Sequence, residues 1–453
     1  MSELLDLARS VVDRARPGEG VEAYVARGHD TDVRAFAGEV EQLASASSAG
    51  IGVRVVLGAE DGEGRRVGFA WAGSLDPGVV DAVLADARDN AAYATPDPHV
   101  ALAQPDGIEP AELDLWDPDF SAVSTGEKVR MALELEQMVR GAHPRVRQVE
   151  SADYGDASVE VALASTTGIR ATTRRTSAYV SVSAIAGDGE ESQTGSGFSV
   201  GRAAPALDLE RAGKDAVMRA VRLLGAGKVR SGRFTVVFDP RVVATLLSVL
   251  SSALSGEAVV KGRSFFAGRL GEEVATGIVT LADDPTDPRA YGAAAFDGEG
   301  LACRRNVLID GGVLEGFVYD SVSARRAGTV STGSAVRGGY AGTPGAGCRA
   351  LALSPGELDQ SGILAAVGDG VYVQSVTGVH SGVSTVSGDF SVGAEGLMIR
   401  AGALAEPVRE VTVASTLQRM LQSVLHVGRD VEWLPGAAAG QTVAVGDMQL
   451  SGS

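Results

Sequence analysis

Histidines are the first residues to test for chemistry, and this chain has five: His29, His99, His143, His380 and His426. A catalytic zinc takes three protein ligands, commonly two from one helix, and no two of these histidines lie within helical reach of each other. The sequence therefore holds no local histidine metal motif. His380 has the most suggestive company, with Ser381, Ser387 and Asp389 in the same glycine-rich stretch. A serine nucleophile needs such a base and acid, but a triad is defined in space, and these residue types fall close together readily by chance. Cys303 and Cys348 form no Cys-x-x-Cys arrangement, which argues against a disulfide framework or a cysteine-only zinc site and suits a reducing compartment. The acid pairs Glu272-Glu273 and Asp283-Asp284 could do acid-base work or bind a cation, yet beside Gly and Pro they read as solvated loops. Gly342 to Gly347 has the glycines of a phosphate loop without its Lys-Ser/Thr ending, so it reads as a turn.

Composition narrows the partners. A chain of 453 residues, 45% hydrophobic and 22% charged, is a globular balance with room for two or three domains. Asp and Glu number 58 against 40 Lys and Arg, and the formal charge of -18 repels nucleic acid and anionic membranes unless a basic patch is segregated. The tightest basic clusters are the pairs Arg65-Arg66, Arg174-Arg175, Arg304-Arg305 and Arg325-Arg326, scattered along the chain. They read as solvated faces or turns, so no nucleic acid and no membrane is expected as a partner. The acidic start, Met1-Ser2-Glu3, is unlike a signal peptide, and no apolar run reaches the roughly 18 residues of a membrane span. A cytoplasmic protein is expected.

The element that must position any chemistry is the stretch Asp239 to Glu257. Asp239 is a good N-cap, Pro240 fits the first turn, Leu246, Leu247, Leu250 and Leu254 recur at helical spacing, and Gly256 can close the end. Its polar residues are mostly serines, which are poor metal ligands and need an activating base to attack anything. Before it, the order helix, antiparallel strands, helix appears twice. The first unit has a helix over 3–15, strands at 21–27, 32–37, 40–47, 51–57 and 67–72, and a helix over 77–92. The second has a helix from Ser124 to Arg140, strands at 146–154, 158–165, 169–176 and 178–187, and a helix over 208–224. Ser48-Ala49-Gly50-Ile51 and Thr166-Thr167-Gly168-Ile169 look like corresponding turns. The reading is α+β: an N-terminal domain over 1–95, a Pro-rich linker over 96–120, a middle domain over 121–228, and a Gly-rich, mostly β domain over 229–453 containing the central helix 240–256. The many short strands of the last domain suggest a barrel-like or sandwiched antiparallel sheet.

Several stretches of that last domain, taken together, resemble the TldD/PmbA family, and specifically its PmbA branch, also called TldE. They are Ser255-Gly256-Glu257 with Lys261-Gly262-Arg263-Ser264; Asp283-Asp284-Pro285; Phe296-Asp297-Gly298-Glu299-Gly300; Gly312-Val313-Leu314; Ser331-Thr332-Gly333; and Ser387-Gly388-Asp389-Phe390-Ser391, followed by Pro407 to Thr412. Active TldD-type members are zinc metallopeptidases with a His-Glu-x-x-Gly-His helix end and a later cysteine ligand. Matching the motif's glycine to Gly256 puts Ser252 and Glu257 where the histidines would be and Ala253 where the general-base glutamate would be. Trp433 to Ala437 supplies no cysteine.

The resemblance therefore implies a non-catalytic subunit, with no cofactor of its own, of a cytoplasmic TldD/TldE-type peptidase complex that acts on peptides or unfolded segments. Zinc is expected in the TldD-type partner, and a homodimer of the lone chain stays open. Ser331, Thr332, Gly333, Asp389 and Phe390 are the candidate peptide-binding surface, by addition of an extended peptide to a sheet edge. Two other functions compete: a metal-free hydrolase using His380 with a serine and Asp389, and a nucleic-acid or gyrase-associated regulator, which an older naming of the family suggests and the charge opposes.

Overall fold

The computed structural model describes residues 2–58, 64–189 and 191–452. It is an α+β protein. One antiparallel half-barrel sheet carries the N-terminal half. Its strands are β1 (Gly20–Phe36), β2 (Glu39–Gly58), β3 (Arg65–Ala72), β4 (Val146–Ser165), β5 (Arg170–Asp188) and β6 (Glu191–Gly201), in the order β3-β2-β1-β4-β5-β6. Helices α1 (Ser2–Val12) and α2 (Pro77–Tyr93) bracket the first three strands; α3 (Thr125–Gly141) and α4 (Leu209–Val221) bracket the last three. The repeated element order is thus present, and the two units share a sheet by pairing their first strands, β1 with β4.

Segments that the sequence pattern divides are continuous. Gly28 to Asp32 does not interrupt β1, because partners on both sides hold the backbone: Gly28 faces Ser48 and Val159, and Asp30 faces Ala46 and Ala157. Ser48 to Ile51 consequently lies inside β2, whereas Thr166 to Ile169 is the turn between β4 and β5, so the two are not equivalent. A better correspondence is one the pattern hides. The buried face of β6 carries Gly195 and Gly197 because α4 lies directly on it; a Cβ on Gly197 would sit 1.8 Å from Ala212 O. Gly68 of β3 meets α2 in the same way, with a Cβ position 2.0 Å from Ala87 O. With no apolar side chains on that face, β6 has no period-two hydrophobic signal.

Every second residue of the sheet turns toward the helices. Val21, Ala23, Val25, Val53 and Val55 pack beneath α1 and α2, and Ala152, Tyr154, Val180 and Val182 beneath α3 and α4. Each fully buried Val or Leu there contributes about 1.5–3 kcal/mol relative to exposure. The opposite face meets the C-terminal domain. There β7 (Gly232–Phe238), followed by α5 (Pro240–Ala253) and α6 (Gly256–Val260), joins β8 (Gly370–Thr377), β9 (Asp389–Arg400), β10 (Ala403–Thr416) and β11 (Val443–Ser451). These strands close as a five-stranded barrel in the order β10-β9-β8-β7-β11, with Val413 of β10 pairing back to Leu450 of β11. The β7–β8 pair is parallel and the others are antiparallel.

The Pro-rich connection does not run free over the surface. Leu102, Ala103 and Leu115 are buried, Arg325 donates to His99 O and Ala101 O, both at 2.6 Å, and Thr176 N donates to Leu115 O at 2.9 Å. It lies in the seam between sheet and C-terminal domain, where its apolar residues find cover. No helix among the described residues is long and apolar enough to cross a membrane.

Candidate functional site

Helix α5 starts as its sequence dictates. Asp239 caps it, accepting from Arg241 N at 2.9 Å, with Pro240 in the first turn. The same buried carboxylate receives Arg219 of α4 at 2.7 Å and the Tyr372 hydroxyl of β8 at 2.6 Å, so the cap also fastens three elements together. Val242, Val243, Leu247, Leu250 and Ala253 form the buried side. Ser248 and Ser251 spend their hydroxyls on the helix's own carbonyls, Ala244 O at 2.8 Å and Ser248 O at 2.7 Å.

Its end differs from the expected one. α5 stops at Ala253, because Ser255 bridges to Val318 and Gly256 N donates to Val318 O at 2.8 Å instead of to the preceding turn. Gly256 opens α6 instead of closing α5, and a Cβ on it would fall 2.1 Å from the Tyr319 ring. Ser264 Oγ satisfies the orphaned Ala253 carbonyl at 2.6 Å, which gives the Lys261 to Ser264 stretch a capping role.

Ser252 is exposed, Ala253 is buried in the core, and Glu257 is half-exposed and ion-paired with Lys261. Glu257 borders a pocket of about 210 Å³ shared with Arg54, Asp320 and Arg326. A hydroxyl, a methyl group and one carboxylate already held by an ammonium are not the nitrogen, sulfur and oxygen set that zinc requires. These residues do not fit a catalytic zinc. Among the described residues, no three His, Cys, Asp or Glu side chains are grouped as metal ligands would be. Both cysteines are buried, and burial pushes the Cys303 thiol up to about 12 and Cys348 well above its ordinary value, so neither offers a thiolate.

The other singled-out residues do not converge. His380 is exposed, without a hydrogen bond or ion pair among the described residues, while Asp389 accepts from Ser387 Oγ at 2.6 Å. The structure thus brings the serine and the acid together and leaves the histidine apart. Ser331, Thr332 and Gly333 are clasped around Tyr319: Tyr319 N donates to Thr332 Oγ1 at 2.7 Å, and Ser331 Oγ donates to Tyr319 O at 3.2 Å. Phe390 is 1% exposed in the barrel core, and Asp389 beside it is exposed at the start of β9.

What sequence reasoning missed is a buried ion network across the seam. Arg54 of β2 grips Glu22 of β1 with two bonds of 2.9 and 2.5 Å and lies 3.6 Å from Glu299 of the C-terminal domain. Arg337, also from the C-terminal domain, reaches Glu22 at 2.5 Å. Burial pushes Glu22 up, but the two guanidinium groups outweigh it and hold the carboxyl below its ordinary value. Glu299 also accepts Ser321 N at 2.8 Å, and burial with Asp320 nearby raises it. Asp297 organises the same loop by accepting Glu299 N, Leu301 N and Ala335 N at 2.8, 3.0 and 3.0 Å, yet burial and the Glu299 charge push it up to about 7. Asp283 likewise accepts Arg349 N and Ala350 N at 2.9 and 2.7 Å, and burial pushes it up to about 6. The acidic motifs at 283 and 297–299 are therefore architectural, and a period-based reading has no means of pairing residues 22, 54, 299 and 337.

A half-barrel sheet joined to a five-stranded barrel is the frame that holds these residues, and its C-terminal part matches a metallopeptidase-family domain. Models of the PmbA/TldA metallopeptidase match it in three consecutive parts: domain 1 over 21–91, the central domain over 118–224 and the C-terminal domain over 231–452. The chain belongs to the PmbA/TldD family. It is 26% identical over 437 residues to the metalloprotease PmbA of Escherichia coli O157:H7, covering 96% of this chain and 92% of that one. A metalloprotease TldD homolog of Buchnera aphidicola subsp. Acyrthosiphon pisum is 25% identical over 431 residues, covering 89% of this chain and 85% of that protein. The crystal structure of TldE from Thermococcus kodakarensis matches with a TM-score of 0.89 over 100% of both chains at 23% identity, a likeness of fold.

Proposed function

We propose that this chain is the TldE-type, non-catalytic subunit of a cytoplasmic TldD/TldE-type complex, in which a TldD-type partner holds the zinc and cleaves peptides or unfolded segments. The end of α5 supports this reading: in the register that the family resemblance implies, Ser252, Ala253 and Glu257 take the places of two ligands and a base. One carboxylate with no base beside it cannot activate water by the zinc route. The role left to the chain is to help enclose the partner's active site and to hold substrate. β2 supports the second part, since residues 39–48 pair on one side only, with β1, and are exposed, Val40 by 41% and Leu43 by 47%. An extended peptide can add to such an edge through backbone hydrogen bonds. Among the five residues singled out for peptide binding, Asp389 keeps an exposed carboxylate for that purpose, whereas the Ser331 to Gly333 segment and the Phe390 ring are engaged within the chain. The net charge of -18 disfavours direct nucleic-acid contact.

The test is co-expression with a TldD-type protein bearing His-Glu-x-x-Gly-His, followed by zinc analysis and peptide hydrolysis for each subunit and the complex. Zinc and cleavage are expected to follow the partner, with co-purification of the two chains. Zinc-dependent cleavage by this chain alone overturns the reading.

A further inference from the structure

Between the helix-free face of the sheet and the C-terminal domain lies a cleft of about 560 Å³. Tyr24, Val159, Val161 and Leu163 line it from the sheet, and Phe296 and Tyr340 from the C-terminal domain. Its charged lining consists of Arg27, Arg175, Arg337 and Arg349 against the single carboxylate of Asp297. The pairs and single arginines that look scattered in sequence are thus partly gathered here, inside a chain whose overall charge is strongly negative.

The partners of these cations decide what the cleft can do. Arg27 is taken up by Glu160 at 3.1 Å and Glu3 at 3.7 Å, and Asp297 is saturated by its three backbone donors. Arg175 has only the Tyr291 ring, 5.8 Å from its guanidinium carbon, among the described residues. Arg349 donates from Nη2 to Ala335 O at 3.3 Å, and its buried Nε has no partner among the described residues. Arg337 stacks 4.7 Å over Tyr24 and reaches Glu22 with Nη2; its side chain is 1% exposed, and Nε and Nη1 have no partner among the described residues. Arg337, Arg349 and Arg175 all line this one cleft, beside Tyr24. Buried guanidinium donors left unpaired are costly, and an oxyanion is the ligand group whose charge and acceptor oxygens offset several arginines at once.

We propose that this cleft binds an oxyanion, carboxylate or phosphate, carried on an apolar body, with Arg175, Arg337 and Arg349 as its cationic wall and the Tyr24, Val161, Leu163 and Phe296 side chains receiving the apolar part. Apolar walls with a few convergent charged donors are the usual make-up of a small-ligand site. Every group involved lies in this chain, so binding here needs neither zinc nor a TldD-type partner.

Titration calorimetry on the purified full chain tests it with three probes: N-acetyl-Ala-Ala-Phe as the free acid, the same peptide as its C-terminal amide, and inorganic phosphate. At least one oxyanion is expected to bind, and Arg349→Gln is expected to weaken it roughly tenfold or more, the loss of a charge-assisted pair. Which oxyanion binds identifies the source, carboxylate or phosphate. If Arg349→Gln does not fold, Arg175→Gln on β5 carries the same comparison. Failure of both oxyanions to bind, measurable but equal binding of acid and amide, or unchanged affinity in the folded variant overturns the proposal.

Discussion

The end of α5 and the interdomain cleft are opposite in inventory. At the helix end, where the family resemblance suggests a metallopeptidase motif, the side chains are a hydroxyl, a methyl group and a carboxylate spent on Lys261. In the cleft no motif announces anything, yet β5 and two C-terminal segments bring incompletely paired arginines together. A local pattern can thus point to chemistry that its side chains do not supply, and charged groups can gather where no local motif exists. Which region matters can be decided by perturbing each.

The largest effect is expected at the seam that forms the cleft. Arg54→Ala leaves Glu22 and Glu299 as buried carboxylates without their shared cation, and removing one partner of a buried pair costs about 3–5 kcal/mol. Urea denaturation should show that loss. A change below about 1 kcal/mol, the range of exposed pairs, would mean the network does not clamp the two domains. Next comes the contact beneath Tyr340. A Cβ on Gly52 would stand 2.2 Å from Tyr340 O, and backbone cannot swing aside as a side-chain end can. Gly52→Ala should cost about 1–3 kcal/mol and displace the 337–340 segment, so that binding in the cleft weakens along with stability. Full stability together with full ligand affinity in this variant would show that the segment does not shape the cleft.

Proton linkage separates the two regions more gently. Asp297 has a folded value of about 7, above its ordinary 3.8, and Glu299 is raised in the same direction. For a carboxyl with a raised folded value, the contribution to stability is full below the unfolded pKa and is lost as pH rises through the folded one. Glu22 is lowered and acts oppositely, losing its contribution as pH falls below the ordinary glutamate range. Between roughly pH 4 and 7, Asp297 should therefore erode stability as pH rises. In Asp297→Asn the melting temperature should be lower overall, since one of three backbone donors loses its acceptor, and should vary less across that window. An unchanged slope would mean that Asp297 does not titrate there.

Legibility in the sequence followed the range of the interaction. α5 could be read because its cap, proline and leucine spacing are local, and the helix-strands-helix repeat because amphipathic periods are local too. The exact end of α5 could not, since Ser255 and Gly256 are turned by Val318 and Tyr319, more than sixty positions away. β6 escaped because glycine fills the face that a period would mark. At the helix end, the residue identities Ser252, Ala253 and Glu257 are legible directly. The Glu22, Arg54, Glu299 and Arg337 network and the arginines of the cleft are products of topology, and no spacing encodes them.

The smallest effect belongs to the helix end itself, and it is the sharper for being small. Glu257 and Lys261 are each 42% exposed and four residues apart, a geometry worth about 0.3–0.5 kcal/mol. Glu257→Gln should move stability by no more than that and leave the zinc content of the chain unchanged. The neighbouring pocket makes this outcome informative, because Arg54, Asp320 and Arg326 border it alongside Glu257. Were Glu257 holding a cation there, its neutralisation would remove bound metal and lower stability by the binding energy as well as by the lost pair. A drop above about 2 kcal/mol, or metal that disappears with the carboxylate, would return chemistry to the end of α5 and erase the contrast with the cleft.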